Sequence, residues 1–485
     1  MTLANEDLLP VPPDRRTWNW WHIASLWIGM AICIPTYTLA SGLMASGWTW
    51  QAAVGAVVLG NLVVLLPIAL NSHAGTRYGI PFPVLARASF GVLGANLPAL
   101  LRSLVACGWF GIQTWIGGWA IYKLIEVLWP GIATLPQLLP AFVGLNTGEF
   151  LCFMIFWAMN VWIVLQGMDS IKFLETWGSP FLLAVGSALF IWAWVRAGTL
   201  SVMLQNPPIG PSAHRPVGSV FGAGLTSAVA FWGTMALSIP DFSRYARSQR
   251  DQLVGQAVGL PATMALFAFI GAAVTNATVV IFGTRIADPV ALLARIGGPL
   301  MIMLSMAGLI IATLTTNIAA NIVAPANGFS NLAPHKITFK QGAMITAVIG
   351  ILMMPWRLYN DAAAYIFTWL IGYGALLGPV AGIMIADYFV VRRGELIVND
   401  LYRRDGAYEY SRGFSWVAIG ALALGVLPSL PGFVAVLRGV PETGLFGTIY
   451  NWAWFVGFLL AALIYVIGMQ VRAGSRVRGA VSVST

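Results

Sequence analysis

Trp109 and Gln113 stand four residues apart in ACGWFGIQTWIGGW, so on a helix they share one face. An indole offers a flat π surface for a planar ring. A carboxamide can donate to one ring group and accept from another. Together they suit a small planar heterocycle with adjacent N–H and C=O groups. Plain packing is the competing reading for the Trp, whereas a Gln in an apolar helix costs free energy unless it finds a partner. A second polar set lies in IIATLTTNIAANIVAPAN. Ala312, Thr315 and Thr316 fall at i, i+3 and i+4, and Asn317 and Asn321 at i and i+4. Two adjacent hydroxyls supply the oxygen ligands that hard cations take. The same residues also serve to hydrogen-bond one membrane helix to another.

Oxygen ligands of another kind come from broken helices. SLWIGMAICIPTYTLASGL and FWGTMALSIPDFSRYA are each long and apolar, and each is interrupted, at Pro35 and Pro240. A proline removes a backbone donor from a helix interior. The first break frees carbonyls near Gly29 and Ile32, the second near Trp232 and Leu237. A lone proline is often only a packing kink. A matched pair in two halves of a chain points to a transporter's central binding site.

These stretches need a bilayer around them. The chain is 58% hydrophobic and only 9% charged, against about 25% charged for soluble proteins. Spans of roughly 20 apolar residues are expected at 24–46, 50–70, 97–125, 149–168, 178–198, 219–240, 257–282, 298–324, 341–355, 362–391, 414–436 and 449–471. The two prolines are then five spans apart. Most Lys and Arg fall in alternate loops. By the positive-inside rule this places both termini in the cytoplasm, the first twenty residues being a polar, Pro-rich tail. The net charge of +9 therefore reflects cytoplasmic loops, not nucleic-acid binding. VRRGELIVNDLYRRDGAYEYSRG is expected as a structured cytoplasmic loop. Asp241, Asp361 and Asp387 sit at span ends near Arg244, Arg357 and Arg392 and read as structural ion pairs. No GxxxxGK[ST] signature points to an ATP-driven pump, and no His/Asp/Glu cluster within the spans points to catalysis. The three cysteines, Cys33, Cys107 and Cys152, have no metal-ligand spacing.

At these residues the chain resembles the nucleobase:cation symporter-1 family, which includes hydantoin, allantoin, cytosine and uracil permeases. The likeness covers about residues 5–472. It rests on NEDLLPVPPDRRTW, IPTYTLASGL, NSHAGTRYGIPFPVLARASFG, WFGIQTW, SIPDFSRYAR, TTNIAANIVAPA, MMPW and LGPVAGIMIADYFVVRRGEL. It implies an all-α integral membrane protein of twelve helices with a LeuT-like core. Two inverted five-helix repeats (24–200 and 201–392) would carry discontinuous first and sixth helices. A cytoplasmic loop and two peripheral helices (393–471) and short tails (1–23 and 472–485) would complete the chain.

The resemblance also implies roles. Trp109 and Trp232 would sandwich the substrate ring, and Gln113 and Asn321 would bond its amide edge. The carbonyls of Gly29, Ile32 and Ala312 and the hydroxyls of Thr315 and Thr316 would form a sodium site. Leu370 would be a thin gate. Cys33 stands where better-known members carry an amide, and Phe231 where a hydantoin permease has glycine. Both favour a compact ring (uracil, hydantoin or a dihydropyrimidine) over allantoin with its ureido arm. The expected protein is a monomeric importer in the cell membrane, with no catalytic residue and no cofactor beyond its coupling ion. That ion is sodium, with a proton as the alternative.

Overall fold

The computed structural model describes residues 3–45, 47–166, 168–204, 217–358, 368–440 and 444–483. Among them the chain is helical, with two isolated bridges and no strand. The first expected span is two helices, α1 (Trp20–Ala31) and α2 (Ile34–Ala45), set at 54° to one another. There follow α3 (Trp50–Tyr78), α4 (Phe82–Phe90), α5 (Asn96–Leu128), α6 (Thr147–Gln166), α7 (Met168–Ala197) and the short α8 (Leu200–Met203). The sixth span comprises α9 (Val217–Phe231), α10 (Gly233–Ser238) and α11 (Pro240–Ser243). Next come α12 (Gln249–Phe282), α13 (Pro289–Leu293), α14 (Pro299–Asn321), α15 (Val323–Leu332), α16 (Phe339–Leu352) and α17 (Pro355–Leu358). The chain continues through α18 (Ile371–Ile385), α19 (Trp416–Val426), α20 (Leu430–Leu437), α21 (Gly444–Asn451) and α22 (Ala453–Val483).

Nine helices among the described residues are long and apolar enough to span a bilayer, ten with the bent pair. The sixth and ninth expected spans are shorter apolar helices, Phe221–Phe231 and Phe339–Leu352. The sixth is cut at Trp232. The ninth stops where Met354 takes a φ of 46° ahead of Pro355. The tenth expected span is described only from residue 368 onward.

The two breaks differ from each other. At the first, the helix unwinds at Ile32 and Cys33, and Pro35 falls in the opening turn of α2, where its missing N–H is harmless. At the second, Pro240 does not break the helix. Ile239 keeps helical angles, and the discontinuity lies eight residues earlier, at Trp232. The reason is local. Pro240 cannot donate to the Ala236 carbonyl, and the Asn71 side chain of α3 donates to it instead at 2.6 Å.

Close-packed glycines fix both broken spans. A Cβ on Gly259 of α12 would lie 2.8 Å from the Ala24 carbonyl oxygen of α1, and one on Gly271 would lie 2.5 Å from that of Tyr37 on α2. On the other side, a Cβ on Gly75 of α3 would lie 2.8 Å from Pro240 Cα. Small residues let helix backbones approach where lipid provides no hydrophobic drive. Thus α12 cradles α1 and α2, as α3 cradles α9 to α11.

At the end expected to face the cytoplasm, the N-terminal segment is pinned down rather than loose. Arg87, fully buried, donates to the carbonyls of Leu3 (2.8 Å) and Leu401 (3.0 Å) and to Asn331 Oδ1. Tyr402 Oη donates to the Leu8 carbonyl at 2.8 Å. The loop after α18 is ordered, as expected. Arg392 Nε pairs with Asp387 at 2.7 Å, and Tyr465 donates to the other Asp387 oxygen. The expected Asp241–Arg244 pair is not formed. Asp241 Oδ1 accepts from the Phe82 N–H (3.2 Å) and Asn327 (3.0 Å), while Arg244 donates to the Asp7 carbonyl. The carboxylate sits in the fields of both Arg244 and Arg102, without direct contact. Asp361 lies outside the described residues.

Asn71→Leu keeps the branched outline and the number of heavy atoms of the side chain but strands the Ala236 carbonyl. Thermal unfolding of the detergent-solubilised variant is expected to report a loss of about 1–3 kcal/mol. An unchanged midpoint would mean that the proline is tolerated without Asn71.

Candidate functional site

The breaks meet α5 and α14 in the middle of the bundle. Trp27 of α1 packs edge-on against Trp232 at 5.1 Å between ring centroids, joining one discontinuity to the other. Asn317 of α14 donates to Thr114 Oγ1 (3.1 Å) and to the Phe110 carbonyl (3.3 Å), which ties α14 to α5. Arg102 of α5 donates to Ser238 Oγ on α10 (3.1 Å) and to the Ala320 carbonyl on α14 (3.0 Å).

Around this junction lies a cavity of about 20 Å³ lined by Cys33, Trp109, Gln113, Phe231, Trp232, Thr234, Thr316, Ala320 and Asn321. All six side chains expected at a substrate site are in its wall. Its volume suits one water, not a ring. Phe231 is the reason. Its ring meets Trp109 at 5.6 Å and Trp232 at 5.1 Å, both edge-to-face, and so fills the space between the two indoles. Trp369, two residues before α18, and Tyr373 of α18 close over Trp109 at 6.3 and 6.4 Å, and Tyr373 Oη donates to the Ala230 carbonyl at 2.8 Å. Leu370 is fully buried but is absent from the cavity wall; its neighbour Trp369 is the residue that packs on Trp109.

Two polar atoms here are buried without a hydrogen bond among the described residues: Gln113 Oε1, an acceptor, and Trp232 Nε1, a donor. Leaving such groups unpaired costs about 1–3 kcal/mol each. Asn321 donates one amide N–H to Asn317 Oδ1 at 3.0 Å, which leaves its second N–H and its carbonyl oxygen to offer. The Cys33 thiol lies 3.3 Å from Thr36 Oγ1 and also faces Gln113 and Thr316.

Four of the expected ion ligands, Gly29, Ala312, Thr315 and Thr316, gather behind the Thr316 side of this wall. Thr316 Oγ1 lies 3.1 Å from the Gly29 carbonyl, 3.2 Å from that of Met30 and 3.2 Å from that of Ala312. Thr315 Oγ1 lies 2.8 Å from the Ala312 carbonyl and 3.5 Å from that of Gly29. This is a buried set of three carbonyls and two hydroxyls with no carboxylate. Hard monovalent cations take such a set. Met30 was missed in the sequence; its adjacency to the break at Ile32 was the available signal. Ile32, expected among the ligands through its carbonyl, also lines a separate apolar cavity. Thr234 and Ala320 were missed in the substrate wall. Ala320 could have been found as the neighbour of Asn321, whereas Thr234 carried no spacing signal.

A family model described as "Permease for cytosine/purines, uracil, thiamine, allantoin" matches residues 10–477. The chain belongs to this permease family. As a member it is a membrane transporter and not an enzyme. It is 45% identical to the purine-uracil permease NCS1 of Arabidopsis thaliana over 475 residues, 97% of this chain and 78% of the relative. It is 41% identical to the allantoin permease of Bacillus subtilis (strain 168), with 97% and 94% covered. Its fold superposes with a TM-score of 0.80 on MHP1, a nucleobase-cation-symport-1 family transporter solved in a closed conformation with bromovinylhydantoin bound. The identity there is 28%, and 98% and 96% of the two chains are covered.

If Phe231 is what closes the permease's cavity, Phe231→Ala should open it. Labelling of Cys33 by a small neutral maleimide, with Cys33→Ser as blank, is expected to quicken at least about tenfold, equivalent to ~1.4 kcal/mol. An unchanged rate would show that another residue occludes the site.

Proposed function

We propose that this permease imports a compact planar nitrogen heterocycle by sodium symport, through alternating access. Uracil, hydantoin and dihydropyrimidines are the favoured class, with allantoin next. The observation that carries the reading is the double position of Thr316. Its hydroxyl meets the carbonyls of α1 and α14, and its side chain lines the cavity between the two indoles. Ion and ring would therefore share one wall. Cation binding at Thr315 and Thr316 would draw the end of α1 onto α14 and fix Cys33, Gln113 and Asn321 for the ring. The unpaired Gln113 acceptor suits the N–H of a cyclic amide. Phe231 disfavours a bulky arm on that ring.

Trp109 and Trp232 would hold the two faces of the ring once Phe231 swings aside. Movement of the α18 end bearing Trp369 and Leu370 would seal the site, and rocking of one group of helices against the other would open it to the cytoplasm. The reciprocal cradling by α3 and α12 supports two inverted halves. The protein is then a multi-pass protein of the cell membrane with both termini cytoplasmic. A proton could couple through the same fold, but among the described residues the cavity wall has one titratable side chain, the Cys33 thiol, which favours sodium.

Binding linkage requires each ligand to raise the other's affinity by the same factor. Thr316→Ala is expected to weaken sodium binding and sodium-dependent ring binding by a matching factor, read by calorimetry. Unchanged affinities would remove Thr316 from the ion site. Trp109→Ala should cost roughly 1–3 kcal/mol of ring binding, about 5–150-fold. Uptake into proteoliposomes with sodium and pH gradients imposed separately should follow sodium alone; uptake driven by pH alone would assign the proton.

A further inference from the structure

The second cavity is larger and different in kind. It has a volume of about 280 Å³ and lies between α7 and α14, with α13 at one end and the unwound link of α1 and α2 at its floor. Val185, Leu189 and Trp192 form one wall, and Leu304, Gly308 and Leu309 the other. Ser305 is the one hydroxyl on the α14 side. An apolar cavity of about 150 Å³ inside a protein stays dry and accepts hydrocarbon-like guests. At nearly twice that volume, this space is unsuited to water and to a polar heterocycle.

Its mouth identifies its occupant. Leu304 and Met301 both line the cavity and are 62% and 50% exposed on the outer face of the protein. Beside them on α7, Phe181 and Ile191 are likewise exposed. In a membrane-spanning bundle, such a belt of exposed apolar side chains is covered by bilayer hydrocarbon. The cavity therefore opens sideways into the bilayer.

We infer that this cavity is a binding site for one acyl chain of a bilayer phospholipid, whose end packs against Ile32, Cys33 and Ile34. The floor gives the site its meaning. Cys33 lines both cavities, and Ala312, whose carbonyl meets Thr315 and Thr316, lines this one. An acyl chain seated here braces the unwound link from the lipid side. The inference stands on the cavity itself and does not depend on which ring or ion is carried.

The test uses the full chain in nanodiscs containing a phospholipid with a diazirine on its acyl chain, photolysed and mapped by mass spectrometry. Label is expected on Val185, Leu189 and Leu309, inside the cavity, as well as on Leu59, Leu62 and Leu66 of the exposed α3 face. Gly308→Phe should fill the space and cut the inner label about tenfold while leaving the α3 label unchanged. Gly308→Ala, whose Cβ would rest 3.4 Å from Val185, should keep the inner label. Leu189→Trp, from the opposite wall, should repeat the effect of Gly308→Phe. Absence of inner label in the unaltered chain, or inner label that survives both filling substitutions, would overturn the proposal. So would inner label displaced by free uracil or hydantoin, since the cavity would then be a path for the ring.

Discussion

A helix that unwinds among apolar neighbours leaves carbonyl oxygens that hydrocarbon cannot satisfy. Here those oxygens belong to Gly29 and Met30, and the partner is the hydroxyl of Thr316. The rest of the centre follows from this contact. It holds the end of α1 against α14, and α14 in turn is held to α5 through Asn317 and Arg102. Trp27 then brings the end of α1 to the second discontinuity at Trp232. Four separate stretches of sequence meet because the unwound backbone has one place where its polar groups are met.

The centre is also closed. Phe231 packs against both Trp109 and Trp232, and Trp369 and Tyr373 lie over Trp109. Edge-to-face contacts of this kind contribute about 0.5–1.5 kcal/mol beyond burial. An incoming ring must exchange them for its own stacking contacts. The unpaired Gln113 oxygen supplies a further reason for that exchange, since a guest that pairs it removes a standing cost.

Much of this was legible in the sequence because it rests on spacing. Trp109 with Gln113, and Ala312 with Thr315 and Thr316, lie on common helix faces whatever the tertiary structure; Trp109, Gln113 and Thr316 line the central cavity, and the Ala312 carbonyl meets both threonine hydroxyls behind it. What spacing could not convey was which backbone groups would find new partners. Pro240 looked like a break because the donor replacing its N–H is Asn71, some 165 residues away. Asp241 looked paired with Arg244 because they are neighbours in the chain, yet the folded carboxylate answers to Phe82 and Asn327. Leu370 was placed by likeness rather than by periodicity, and its neighbour Trp369 is the one that reaches Trp109. The tight packing of α12 on α1 and α2 was likewise invisible, since glycines do not announce which backbone they will touch.

Asn71 has one more effect. With its amide capping Ala236, the stretch from Gly233 through Ser243 keeps helical angles across Ile239, and its one interruption is at Trp232. The opposite joint has two unwound residues, and its freed carbonyls are met by a side-chain hydroxyl. The two sides of the centre are thus unlike: one interruption is a single residue in a stretch whose Ala236 carbonyl is capped from a neighbouring helix, the other a two-residue link whose backbone oxygens face the proposed ion ligands.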